Sequence, residues 1–65
     1  MDRKLIGSRL RELRGDTPLH VVAKELGVSN STVSMWENGE RLPKDEYKKS
    51  LAAYYKTTVE ALFYA

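Results

Sequence analysis

The chain has no cysteine, two prolines, one histidine, one tryptophan and one phenylalanine among its 65 residues, and each shortage closes a class of function. Without cysteine there is neither a disulfide frame nor a thiolate zinc site to supplement a small core. His20 has no second histidine and no cysteine to join it, so it builds neither a metal cluster nor a nucleophilic triad. No glycine-rich phosphate loop is present, and a chain this short has little room for a pocket. The expectation is therefore a non-enzyme with no cofactor, no metal and no small-molecule ligand. No apolar run approaches membrane-spanning length. The opening stretch MDRKLIGSRLREL mixes charge throughout, where a signal peptide needs an unbroken apolar block. A cytoplasmic protein without membrane contact is expected. The formal net charge of +2 is too small to argue for nucleic acid by itself, so the distribution of charge has to carry that question.

What the chain does have is concentrated between Leu19 and Glu37, LHVVAKELGVSNSTVSMWE. Val22 and Leu26 lie four apart on one face of a first helix, and Val28, Val33 and Trp36 continue the apolar stripe on a second. Gly27 between them suits the left-handed conformation that ends a helix, and Ala23 lets the second helix cross closely over the first. Ser29 caps the second helix by accepting a backbone N–H near Ser31 or Thr32. Together these features predict a helix-turn-helix over about residues 18–38, and with it DNA binding.

The rest of the sequence reads as helices with short connections and no strand. Asp2 caps a first helix whose Leu5 or Ile6, Leu10 and Leu13 form an inward stripe, ended by Gly15 and Asp16. Thr17 then serves as N-cap and Pro18 as first-turn residue of a second helix, about Pro18 to Leu26. The third helix runs from about Asn30 to Asn38, where Asn38-Gly39 signals its end, and Pro43 precedes a fourth from about Lys44 to Tyr55. Asp45 and Glu46 fall in that helix's first turn, where they complement its dipole. Thr58 caps a short fifth helix, Val59 to about Tyr64, whose Val59, Leu62 and Phe63 are available for burial. The expected fold is an all-α, compact five-helix bundle containing a helix-turn-helix, one domain over residues 1–65.

With those residues in place, the chain resembles the phage repressor/Cro family of helix-turn-helix regulators over nearly its whole length. IGSRLRELR is similar to the family's first helix, WENGERLP to its recognition-helix end and loop, and LAAYYKTTVEALF to its closing helices. The resemblance implies a DNA-binding transcriptional regulator, most simply a repressor, of prokaryotic or phage origin and associated with the nucleoid when bound. It implies a homodimer on an operator that is an inverted repeat, with the third helix in the major groove and half-sites roughly 34 Å apart. It also implies that Arg14 pairs with Glu37 and ties the first helix to the third. Two places depart from the family pattern. Pro18 and Leu19 stand where the family has a polar cap and a glutamine-like side chain on the DNA backbone. Lys56 stands where it has a glycine, so the fourth helix needs either a left-handed non-glycine residue or a different ending.

With Val28, Val33 and Trp36 facing inward, helical spacing sends Asn30, Ser31, Ser34 and Met35 outward, and these are the expected base readers. An Asn amide can pair with adenine N6 and N7, a serine hydroxyl can donate or accept, and a Met thioether can pack on a thymine methyl. For Ser31 the alternative is a plain first-turn helix residue, and for Met35 a position against a neighbour. The set has no Arg or Gln, so DNA shape and dimer spacing are expected to contribute to specificity. Phosphate contacts are expected from Arg41 and Lys44 in the following loop, from Asn38, and from Arg9 or Arg14 at the far edge. Trp36 invites base stacking, but the stripe it continues favours the core. Leu62, Phe63 and Tyr64 form a dense apolar end and a candidate dimer patch. A competing reading keeps the fold and uses its surface as a protein-interaction module, motivated by Pro18, Leu19 and the neutral face of the third helix.

Overall fold

Asp2 opens the first helix by accepting the N–H groups of Lys4 and Leu5, both at 3.1 Å, which satisfies two of the donors that every helix N-terminus leaves unpaired. A computed structural model describes all residues 1–65 and contains α1 (Arg3–Arg14), α2 (Leu19–Leu26), α3 (Asn30–Glu37), α4 (Asp45–Tyr54) and a closing π-helical turn (Glu60–Tyr64), with no strand. The all-α expectation and the order of the elements hold, and the boundaries move by about one residue. No helix is long and apolar enough to cross a membrane.

The core is small and specific. Ile6 and Leu10 of α1, Val22 and Ala23 of α2, Val33 and Trp36 of α3, Leu51 of α4, and Leu62 and Phe63 of the closing turn form one buried cluster. Trp36 is 2 % exposed and its ring lies 5.5 Å from that of Tyr47, which settles it as a packing residue. Ile6, and not Leu5, faces inward. Leu13, expected in the same stripe, is 44 % exposed. The inward line on α1 steps by four, from Ile6 to Leu10 to Arg14, and Arg14 occupies the place that an apolar pattern assigns to Leu13.

Three helices end alike. After α2, Gly27 adopts φ 68° and ψ 34°; its N–H donates to the Lys24 carbonyl at 3.2 Å and that of Val28 to the Ala23 carbonyl at 3.0 Å, the paired bonds of a Schellman ending. After α3, Gly39 and Glu40 repeat the pattern to Trp36 and Met35 at 3.2 and 2.9 Å. After α4, Lys56 takes the left-handed position with φ 56°, and it and Thr57 donate to Ala53 and Ala52 at 3.2 and 2.9 Å. Of the two endings open to Lys56, the chain uses the left-handed residue.

Two details differ from expectation. Pro18, not Thr17, occupies the cap position of α2, with no side-chain cap. The residue before a proline is pushed towards extended backbone, and Pro18 has no N–H to leave unpaired. The fifth element is a π turn, although Thr58 does cap it by accepting the Ala61 N–H at 3.0 Å. Successive side chains on a π turn are closer in angle than the ~100° of an α-helix. Leu62 and Phe63 thus both face inward, at 2 % and 3 % exposure, and neither is free to form a dimer patch. Of the three residues expected there, only Tyr64 remains exposed.

Candidate nucleic-acid interface

The N-terminus of α3 is organised by hydroxyl groups. Ser29 Oγ accepts the Thr32 N–H at 3.2 Å and shares further hydrogen bonds with Thr32 Oγ1 at 2.9 Å and Ser31 Oγ at 3.2 Å. This cap fixes the first turn, so the side chains that follow stand on a rigid helix face. Asn30 and Ser31 are exposed, and Ser34 and Met35 are half-buried at its edge. The opposite face of the same eight residues is core, carrying Val33 and Trp36.

The loop after α3 is anchored to that helix. The Met35 carbonyl accepts the N–H groups of Glu40 at 2.9 Å and Arg41 at 3.3 Å, which holds Arg41 beside the helix. Arg41 and Lys44, both exposed, line an open cleft together with Gly27, Ser29, Thr32 and Trp36. Two cations therefore share one depression with the turn and the first turn of α3, the position from which a phosphate beside that helix can be reached. No group of three His, Cys, Asp or Glu side chains converges on a point that would hold a metal ion.

Arg9 and Asn38, expected at phosphate, are occupied elsewhere. Arg9 Nη1 donates to the Leu62 carbonyl at 3.1 Å, and Nη2 donates to the main-chain oxygen of Ala65. Its guanidinium clasps the closing turn, among residues of α1 and that turn and none of α3. Asn38 Oδ1 accepts Arg11 Nη2 at 2.6 Å, while Nδ2 donates to Ser34 Oγ at 3.3 Å and to Glu40 Oε2 at 3.5 Å. Both hydrogens of its amide are committed within the chain, which removes it from the phosphate set. These partners are 27 and 53 residues distant along the chain in the cases of Arg11 and Leu62, a separation that no local pattern reports.

Behind α3 lies an ion-pair cluster. Arg14 Nε and Nη2 donate to the two carboxylate oxygens of Glu37 at 2.7 and 2.9 Å, and Nη1 donates to the Thr17 carbonyl at 3.0 Å. Arg11 Nε stands 3.8 Å from Glu37 Oε1. The Glu37 side chain is 3 % exposed and is turned towards α1. The hydrogen bond to Glu37 raises the Arg14 pKa further, against the opposing effect of burial. Nearby, burial first and then the Glu37 charge push the Tyr55 hydroxyl up to about 12. On α4, Lys48 is buried with its ammonium donating to Tyr64 Oη at 3.1 Å, and that bond raises its pKa.

Two residues that sequence reasoning passed over matter here. Arg11 lies three before Arg14, hence on the same helix face, and that spacing is the signal that points to it. Gly7 sits where α1 crosses the end of α3, so close that a Cβ would stand 2.4 Å from the Glu37 carbonyl oxygen. A glycine inside a helix is itself the cue, because it weakens the helix unless packing requires it.

Compared with known proteins, residues 8–62 match the family model described as Helix-turn-helix. No curated protein and no solved structure matches the chain.

Proposed function

The chain belongs to this helix-turn-helix family of DNA-binding proteins, and from that premise we propose that it is a sequence-specific transcriptional regulator, in its simplest form a repressor. It binds duplex DNA as a homodimer and lays α3 in the major groove, where Asn30, Ser31, Ser34 and Met35 meet base edges. Arg41 and Lys44 hold the flanking phosphates. The reading is carried by one observation: the two loop cations line one open cleft with Ser29 and Thr32 at the start of α3, next in sequence to the exposed Asn30 and Ser31, while the Glu37 carboxylate is buried in its pairing with Arg14 of α1. Homodimerisation is supported by the apolar surface that Met1, Leu5 and Tyr64 leave exposed around a second depression. The proposed dimer contact lies at the start of α1 and the end of the closing turn, and of the expected patch it keeps Tyr64.

Selection from a pool of random duplexes at near-physiological salt tests the proposal. The expected result is an enriched inverted repeat with half-sites roughly 34 Å apart. Changing Asn30 and Ser34 together to Ala abolishes the preference while the protein stays folded. Arg41→Ala and Lys44→Ala each reduce the salt dependence of affinity by about 0.9 in slope per subunit. A folded protein that enriches no sequence overturns the reading and leaves the protein-interaction alternative.

A further inference from the structure

A helix that lies in the major groove has one sugar-phosphate strand along each of its flanks, so a firm hold needs cations on both sides of it. One flank of α3 is supplied by Arg41 and Lys44, which share a cleft with Thr32 and Trp36. At ~100° per residue, a path around the outward side of α3 from Thr32 passes Met35, Ser31, Ser34 and Asn30 in turn and arrives at Glu37. The outward face is thus bounded on its other side by Glu37 and by the two α1 residues paired with it, Arg11 and Arg14. The start of α2 is tied to this same flank by the bond from Arg14 to the Thr17 carbonyl, and it brings Pro18 and Leu19, neither of which has a side-chain donor.

Of the two arginines on that flank, one is free to bind. Arg14 gives Nε and Nη2 to Glu37 and Nη1 to Thr17, so it neutralises the carboxylate and is used up in doing so. Two guanidinium groups and one carboxylate leave one positive charge, and it lies on Arg11. The Arg11 side chain is 59 % exposed, with Nε 3.8 Å from Glu37 Oε1, beyond hydrogen-bond length. Its Nη2 donates to Asn38 Oδ1 at 2.6 Å, and its remaining N–H groups have no hydrogen-bond partner in the chain. Asn38 in turn reaches Ser34 on the outward face at 3.3 Å, which fixes the guanidinium beside that face. Glu40 meets the other end of the same amide at 3.5 Å and forms no ion pair with Arg11. We propose that Arg11 binds a DNA phosphate on the strand opposite to the one held by Arg41 and Lys44, so that α3 is anchored from both sides of the groove. The inference rests on the proposal that α3 reads the major groove.

Wild type, Arg11→Gln, Arg11→Lys and Arg41→Gln, titrated across a salt series against the duplex enriched by wild type, test it. Each is titrated as well against copies of that duplex in which single phosphates are replaced by uncharged methylphosphonates. Glutamine keeps an amide N–H for Asn38 and removes the charge, whereas lysine keeps the charge. Arg11→Gln is expected to lower the salt slope by about 0.9 per subunit and Arg11→Lys to retain it, with the base preferences of both unchanged, since a phosphate contact reads no sequence. Neutralised phosphates weaken wild type on both strands of each half-site. Arg11→Gln becomes indifferent to neutralisation on one strand, and Arg41→Gln on the other. If Arg11→Gln and Arg11→Lys weaken alike and keep the wild-type slope, Arg11 is purely structural and the inference is overturned. Indifference on the same strand in Arg11→Gln and Arg41→Gln overturns it too. A wild type that is sensitive on one strand only does so without any variant. All three results leave the DNA-reading proposal standing, whereas a wild type that enriches no duplex removes that proposal first and this inference with it.

Discussion

Replacing Gly7 by alanine adds one methyl group at the tightest crossing in the molecule. The new Cβ would stand 2.4 Å from the Glu37 carbonyl oxygen and 2.8 Å from that of Trp36, against the 3.5 Å or so at which carbon contacts become attractive. Both obstructing atoms are backbone at the end of α3, so no rotamer change relieves them. The helices must separate by about an ångström, which loosens Ile6 and Leu10 from the core and stretches the Arg14–Glu37 bonds. Overpacking of this kind costs about 1–3 kcal/mol, and the strain on a charged hydrogen bond adds to it. Alanine in a helix interior returns about 1 kcal/mol through its better propensity. A net loss of about 1–2 kcal/mol is expected, which in a domain this small lowers Tm by about 4–16 °C. Circular dichroism melts of Gly7→Ala beside Ser8→Ala measure it, because Ser8 is exposed on the same helix and reports propensity without the clash. If Gly7→Ala melts at or above wild type, as Ser8→Ala should, the close approach of α1 and α3 is refuted.

Arg14→Ala leaves a carboxylate with 3 % exposure facing Arg11 at 3.8 Å as its remaining cation, so urea denaturation is expected to show a loss of roughly 3–5 kcal/mol; an unchanged midpoint would exclude the pairing as a source of stability. Lys56→Gly relieves a left-handed backbone at φ 56° and should raise stability by about 1 kcal/mol with an unaltered m value. Tyr55 titrates at about 12 in the folded chain and near 10 when unfolded. The folded state thus holds its proton more tightly, and this contribution is complete below pH 10 and is lost as the pH climbs through 12. Tyr55→Phe should therefore lose less stability than wild type between those limits, as read by denaturation at fixed pH; parallel curves would remove Tyr55 from the alkaline transition.

The parts of this fold that were legible in the sequence are those held by neighbours along the chain. The Ser29 cap reaches three residues ahead, Gly27 closes a turn of its own helix, and Val33 and Trp36 share a face by spacing alone. What escaped depends on contacts between distant segments. A hydropathy pattern assigns the last inward position of α1 to Leu13, because it has no means to register that Glu37 draws Arg14 inward. It reads Lys48 as a solvated charge, whereas the ammonium lies 5.7 and 5.2 Å from the ring centres of Phe63 and Tyr64 and is buried under them. The same limit applies to the proposed DNA-facing residues. Asn30, Ser31, Ser34 and Met35 follow from helical geometry, but the occupation of Arg9 by the closing turn and of Asn38 by Arg11 follows only from the assembled bundle.

An eight-residue α3 has to be core on one side and surface on the other, and the division runs along its length. Val33, Trp36 and Glu37 are turned towards α1 and the rest of the bundle, while Asn30, Ser31, Ser34 and Met35 border solvent. The Asn30 and Met35 side chains form no hydrogen bond within the chain, whereas Ser31 shares one with the Ser29 cap at 3.2 Å. Ser34 is linked by Asn38 and Arg11 to the ion-pair cluster behind the helix. Glu37 clamps α1 to α3 through Arg14 and also stands 3.8 Å from Arg11, whose Nη2 donates to Asn38 Oδ1. The ion pair that keeps this small core closed is therefore continuous, through Arg11 and Asn38, with the Ser34 hydroxyl at the edge of the outward face.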